Sequence, residues 1–169
     1  MTPQTGSAAP QLGAEAFRKV MRAPAASVVV VATGSGASRA GCTVTAICSL
    51  SDAPPSLLVC LNARSSALTA IRENGRFSAN YLGDGQDDIA DIFAGRSGQQ
   101  GDARFGDAWA QSENGMPVLR DAVATFECEL VEITTFGSHH ILIGRVLDGR
   151  SAYSGDPLVY SQGKYRQLA

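Results

Sequence analysis

The chain has few groups that catalyse by themselves. Its two histidines are adjacent, His139 and His140, in 169 residues. Neighbours on a strand point to opposite faces, so this pair cannot chelate one metal ion. No H-x-x-x-H pattern and no Cys/His cluster occurs elsewhere, so the spacing of a metal site is missing. No G-x-S-x-G elbow and no G-x-x-x-x-G-K-[ST] loop is present, and a triad built on Ser138-His139 lacks an identifiable nucleophile or acid partner. Gly34-Ser35-Gly36 offers two glycines of a dinucleotide fingerprint, but Arg39 stands where the third belongs and a strand-like segment follows, so a plain turn is expected. Charge of one sign is also scarce. Fourteen Lys and Arg against sixteen Asp and Glu give a net charge of -2, without the basic footprint that nucleic acid or an anionic membrane requires. No apolar run approaches the roughly 18 residues of a membrane span. The start, MTPQTGSAAPQLG, lacks the charged and apolar regions of a secretory signal, and residues 1–14 read as a disordered lead-in. Cys42, Cys48, Cys60 and Cys128 form no C-x-x-C pair; they read as reduced, buried thiols of a cytoplasmic protein.

What is present describes one globular domain, expected over residues 15–169. An apolar content of 44% with 18% charged residues is ordinary for a folded chain, and this length buries roughly two-thirds of the unfolded surface. Glu15 to Arg22 has helical apolar spacing and ends at Pro24. Ala25 to Thr33 is a β-branched run that reads as a buried strand. Ser66 to Asn74 reads as a helix stopped by Gly75, followed by a strand over Phe77 to Leu82 and a short helix over Gln86 to Phe93. Ala94 to Gly106, rich in Gly, Gln and Arg, is expected to be a mobile loop. Met116 to Leu119 reads as a short extended piece. Val123 to Ile133 alternates Ala124, Phe126, Cys128 and Leu130 with Thr125, Glu127 and Glu129, the pattern of a half-exposed strand. His140 to Val146 is its expected antiparallel partner across Thr134 to Ser138, and Pro157 to Tyr160 is a last strand. Phe77, Tyr81, Phe126 and Trp109 are spread singly and read as core. Strands outnumber helices without βαβ repetition, so an antiparallel barrel with two or three peripheral helices is expected.

The most informative stretch is Gly41 to Ser66, GCTVTAICSLSDAPPSLLVCLNARSS. It reads as two strands joined at Pro54-Pro55. Thr43, Thr45 and Ser49 are small hydrogen-bonding residues among apolar ones, suited to the edge of a flat polar ring. Asn62-Ala63-Arg64-Ser65-Ser66 puts a cation and hydroxyls at a helix start, suited to a phosphate. The residues thus point to a nucleotide-like ligand with a ring at one end and a phosphate at the other, and go no further.

That stretch, with F-A-G at Phe93 to Gly95, G-S-H at Gly137 to His139 and P-L-V-Y-S-Q-G-K-Y at Pro157 to Tyr165, resembles the flavin reductase-like, FMN-binding split-barrel family. Within it the chain is most similar to the small reductase components of two-component flavin-dependent monooxygenases. The resemblance covers about residues 15 to 168. It implies a homodimeric, Greek-key split barrel that transfers hydride from NADH to FMN and releases reduced flavin to a monooxygenase. FAD shares the ring and first phosphate of FMN, and the preference for NADH over NADPH rests on the absence of an Arg cluster for an added phosphate. By that resemblance Thr43, Val44, Thr45, Ala46, Ile47 and Ser49 hold the ring edge and ribityl chain, while Asn62, Arg64, Ser65 and Ser66 take the phosphate. His139 lies near the nicotinamide as a positioning group, Lys164 and Tyr165 line the same pocket, and a loop residue such as Arg96 serves the neighbouring subunit's site. Two rivals share the barrel: a flavin carrier without reductase activity, and an oxidase of the pyridoxamine-phosphate type, for which the scattered Lys and Arg supply no second phosphate pocket.

Overall fold

Five successive residues with both faces buried need a structure with two covers, and Val28 to Ala32 are all at most 1% exposed. The computed structural model describes residues 11–151 and 155–168. In chain order it contains α1 (Ala14–Met21), β1 (Ala26–Ser27), β2 (Val29–Thr33), β3 (Ala40–Val44), β4 (Ile47–Asp52), β5 (Pro55–Asn62), α2 (Ser66–Asn74), β6 (Arg76–Tyr81), α3 (Asp87–Phe93), β7 (Trp109–Gln111), β8 (Pro117–Leu119), β9 (Ala124–Phe136), β10 (His139–Ser151), β11 (Val159–Ser161) and β12 (Lys164–Arg166), with 3-10 turns at Gly36–Ser38 and Gly101–Arg104. Most of the expected lead-in, residues 1–10, lies outside the described residues.

Among the described residues the architecture is mainly β with three helices, and every strand pairing is antiparallel. Seven strands form one sheet in the order β3-β2-β6-β9-β10-β5-β4, beside a three-stranded sheet β1-β11-β12 and the hairpin β7-β8. The two edges of the large sheet, β3 and β4, are consecutive in the chain and separated only by Thr45 and Ala46. Six inter-strand gaps in a flat sheet would hold them roughly 29 Å apart, whereas that link spans roughly 11 Å at most. The sheet must therefore curl until its edges meet at this corner. There the Cys60 amide donates to the Ala46 carbonyl at 2.9 Å, and no ladder joins β3 to β4 among the described residues.

Curling gives the sheet an inside and an outside. Inside lie Val29, Val31, Val59, Leu61, Phe77 and Leu142, with Leu68 and Ile71 of α2 plugging one end. Burying those two helix residues is worth about 1.5–3 kcal/mol each. α2 stops at Gly75, whose φ of 66° is left-handed, a conformation glycine adopts without strain. Gly144 is needed for closeness: a Cβ there would overlap the Phe77 ring and stand 2.9 Å from Cys128 Cβ. On the outside of β2, Val28, Val30 and Ala32 pack under Phe93, Phe105 and Trp109, whose rings meet at centroid distances of 4.9 to 5.1 Å.

Several expectations change. Gly41–Ser66 holds three strands, because the sheet breaks at Thr45-Ala46 as well as at the proline turn. The β9–β10 turn shrinks to Gly137-Ser138. β9 is covered on both faces at its start: Thr125 and Glu127 are buried, Glu127 accepting from the Ser112 hydroxyl at 2.8 Å and Thr125 meeting Asn80. Segment 94–106 is fastened by Arg39–Asp102 at 2.5 Å and by Arg104 donating to the Gly41 carbonyl at 3.0 Å. Of the thiols only Cys128 is buried; Cys42 and Cys60 are intermediate and Cys48 is exposed, because β4 is an edge strand turned to solvent. Trp109 begins β7, a strand with no alternation to announce it.

Candidate cofactor site at the sheet corner

The corner where the sheet edges meet has a cavity on each side. One, of about 240 Å³, is lined by Cys42, Thr43 to Ala46, Cys60, Leu61, Asn62, Ser65 and His139. The other, of about 230 Å³, is lined by Val28, Thr43 to Thr45, Ala94, Arg96, Tyr160 and Tyr165. A third, of about 490 Å³, lies between Arg39, Ala40, Ser66, Arg104 and the glycine-rich segment from Gly95 to Gly101. The fold thus gathers Thr43, Val44, Thr45, Ala46, Asn62, Ser65 and His139 around one space and joins Tyr165 to it across the corner. Ser66 faces the third cavity. Arg64 and Lys164 are exposed and line none of the three; Ser49 is exposed on β4, and Ile47 packs on the inner core.

Local chemistry explains this placement. The Asn62 side-chain carbonyl accepts the Arg64 amide at 2.9 Å, and the Asn62 backbone carbonyl accepts the Ser65 amide at 3.0 Å. This turn delivers Ser65 and Ser66 to the start of α2, where no side chain caps the helix, so its first amides remain available to an anion. The Thr43 hydroxyl is spent differently from expectation: it donates to the Ala90 carbonyl of α3 at 2.7 Å. At that position the strand can offer a ligand its backbone rather than its hydroxyl.

His139 and His140 separate as neighbours on a strand should. His139 is exposed beside the corner, with Nδ1 2.9 Å from the Ser138 hydroxyl. His140 is buried, its Nδ1 accepting from Arg72 Nη2 at 3.1 Å. Across the corner the Tyr165 hydroxyl donates to Asp91 at 2.9 Å, and Arg96 pairs with the same carboxylate at 2.7 Å. Burial, reinforced by Asp91, pushes the Tyr165 phenol up to about 12. Arg96 therefore stands in this chain's own cavity.

The residues that sequence reasoning missed are Arg39, Arg104, Asp91 and Tyr160. Arg104 lies over the Phe93 ring at 5.2 Å, and burial lowers its pKa. No carboxylate pairs with it among the described residues. Arg39, over Phe105 at 4.8 Å, is held by Asp102. A partly desolvated guanidinium without a counter-ion, next to an uncapped helix start, fits a phosphate-bearing ligand. Burial raises the Cys42 thiol, a shift that the Ser65 hydrogen bond and the Arg104 charge only offset.

A curled antiparallel sheet with a backbone-rich corner beside a cationic cavity fits a protein that holds a nucleotide cofactor. Comparison with known proteins narrows that class: the flavin reductase like domain matches residues 21–169. The chain belongs to the flavin reductase-like family. It is 39% identical over 169 residues to "FMN reductase (NADH) RutF 1" of Methylorubrum extorquens (strain PA1), covering 99% of this chain and 83% of the relative. Among solved structures it is similar to BorF, the flavin reductase component of a bacterial two-component tryptophan halogenase, with a TM-score of 0.86 and 31% identity, covering 92% of this chain and 98% of that one. It is also similar to the flavin reductase PheA2, with a TM-score of 0.85 and 29% identity, covering 94% and 99%.

Proposed function

We propose that this chain is an NADH-dependent FMN reductase that releases reduced flavin to a separate flavin-dependent monooxygenase in the cytoplasm. The observation that carries the reading is the juxtaposition of the Thr43–Ala46 corner, His139 and the Arg104–Ser66 cavity, in a chain related over its whole length to proteins of that name. BorF, a reductase component, supports the separate oxygenase. Residues 15–169 act as one split-barrel domain.

Bound flavin and NADH supply the hydride acceptor and donor. The chain supplies position. Backbone groups from Thr43 to Ala46 hold the ring edge. Asn62, Ser65 and Ser66, joined by Arg104, take the phosphate, Arg104 through a charge-assisted hydrogen bond. His139 and Tyr165 border the nicotinamide, and no side chain is required to move a proton. FAD fits the same corner, since it shares the ring and first phosphate.

A second copy completes the fold. Each of the three irregularities in the β9–β10 and β4–β5 ladders leaves one unpaired apolar residue, namely Val131, Leu147 and Leu50. They are 60%, 42% and 46% exposed. Bulges re-aim side chains, and three exposed apolar ones, two on the paired β9 and β10 and one on the edge strand β4, suit a homodimer contact.

Purified protein mixed with NADH and FMN, FAD or no flavin tests the activity. Rapid NADH oxidation that requires added flavin, fastest with FMN, is expected. Flavin binding without oxidation of NADH or NADPH would leave a carrier. Sedimentation of the same sample should give the dimer mass, and a monomer at micromolar concentration would remove the interface.

A further inference from the structure

The buried histidine of the adjacent pair is not used by the mechanism above, yet it carries a specific set of partners. His140 is 9% exposed and faces the inside of the curled sheet opposite Leu61, while His139 pairs with Asn62 beside the corner. His140 Nδ1 lies 3.1 Å from Arg72 Nη2 and 2.9 Å from the Thr135 hydroxyl. A guanidinium can only donate, so Nδ1 must be the acceptor and the ring proton belongs on Nε2. Arg72 sits in the last turn of α2, six residues after Ser66, or roughly 9 Å along the helix. One helix therefore touches the cationic cavity with its first residue and the start of β10 near its end.

We infer that His140 and Arg72 are positioning residues, a strut from α2 to β10 that fixes where His139 stands relative to the phosphate end of the site. The physical reason is the strand's alternation. With His140 pinned inward by Arg72 and Thr135, the next Cβ back along the chain, that of His139, is aimed at the opposite face. The β5 and β9 ladders set the course of β10, and a backbone bond from the Ala63 amide to the Ser138 carbonyl, 3.0 Å, holds the turn. The strut adds a side-chain restraint that holds the first residues of β10 in one rotation about that course. This inference rests on the reading of His139 as a nicotinamide contact, and the test separates the two.

The first measurement needs no cofactor. The chain has two histidines, so its imidazole C–H spectrum contains two ring systems, and His140→Phe identifies which belongs to His139. In Arg72→Met the His139 resonance should shift or broaden, and in Arg72→Lys, which keeps a donor, it should return toward the wild-type position. An unmoved His139 signal in folded Arg72→Met overturns the strut whatever the enzyme does. The second measurement is steady-state NADH oxidation with FMN. His140→Phe and Arg72→Met should each raise KM for NADH about tenfold, the scale of a displaced contact group, with FMN affinity within about twofold. The double variant should be no worse than either single one, because both break one link. His140→Asn, whose side-chain oxygen takes the place of Nδ1, should recover most of the loss. A purely structural role would lower Tm and leave KM for NADH unchanged in the folded fraction; that result, or multiplicative losses, sinks the inference. If wild type oxidises no NADH, the functional reading falls, while the spectrum still decides the strut.

Discussion

The two ends of the candidate site are built on different principles. The proposed ring end is a corner of four consecutive residues, Thr43 to Ala46, laid open because two sheet edges must meet there. The proposed phosphate end is assembled from Arg39, Ser66 and Arg104, which come from three separate segments of the chain. A corner of backbone is insensitive to the side chains it carries, since every residue brings the same N–H and C=O. A cavity of guanidinium groups depends on each one, and on whether a carboxylate already occupies it. Arg104 has none; Arg39 is engaged by Asp102 and Arg96 by Asp91.

The contrast breaks most visibly at Arg104. Arg104→Met should weaken FMN binding about 10- to 100-fold, the loss of a hydrogen bond to a charged group, when followed by flavin fluorescence. Riboflavin, which carries the ring without the phosphate, should bind Arg104→Met and wild type equally. A parallel loss for both ligands would place Arg104 at the ring instead. Thr43→Val is the counterpart at the corner. Because its hydroxyl is spent on the Ala90 carbonyl, the substitution should cost about 1 kcal/mol of stability. Affinity for riboflavin should change less than about threefold, and a larger drop would mean that the hydroxyl meets the ligand after all.

The smallest effect lies at Tyr165. Its phenol, raised to about 12 by burial and Asp91, stays protonated in the folded chain where an unfolded tyrosine near 10 has ionised. Stabilisation from this group is therefore complete below about pH 10 and is lost as pH rises through about 12. An absorbance titration should show a late phenolate step that Tyr165→Phe removes. Its persistence in the variant would assign the step elsewhere.

These differences track what was legible beforehand. α2 was readable to its last residue, because Ala67, Leu68 and Ile71 repeat on one face and Gly75 ends the pattern within nine residues. The helix start at Asn62–Ser66 was equally readable, but the Asx turn that shapes it appears only in the structure. The break at Thr45-Ala46 was invisible, since both residues are ordinary in a strand and the cause lies in the closure of seven strands. Thr125 and Glu127 read as solvent-facing for the same reason: their cover, β7-β8 and Asn80, comes from elsewhere in the chain. The three bulges that turn Leu50, Val131 and Leu147 outward likewise depend on the register with a partner strand.

By itself the sequence determined the longer elements, the hydroxyl-rich stretch and the family, all of which rest on short runs of residues where spacing and propensity act directly. Only the tertiary structure decided that His139 faces the corner while His140 is held inward by Arg72, that Thr43 spends its hydroxyl on α3, and that Arg39 and Arg104, 65 positions apart in the sequence, share one cavity. Those outcomes depend on which charges find partners and which faces find covers. Such choices are made between distant segments, when the sheet curls and its edges meet.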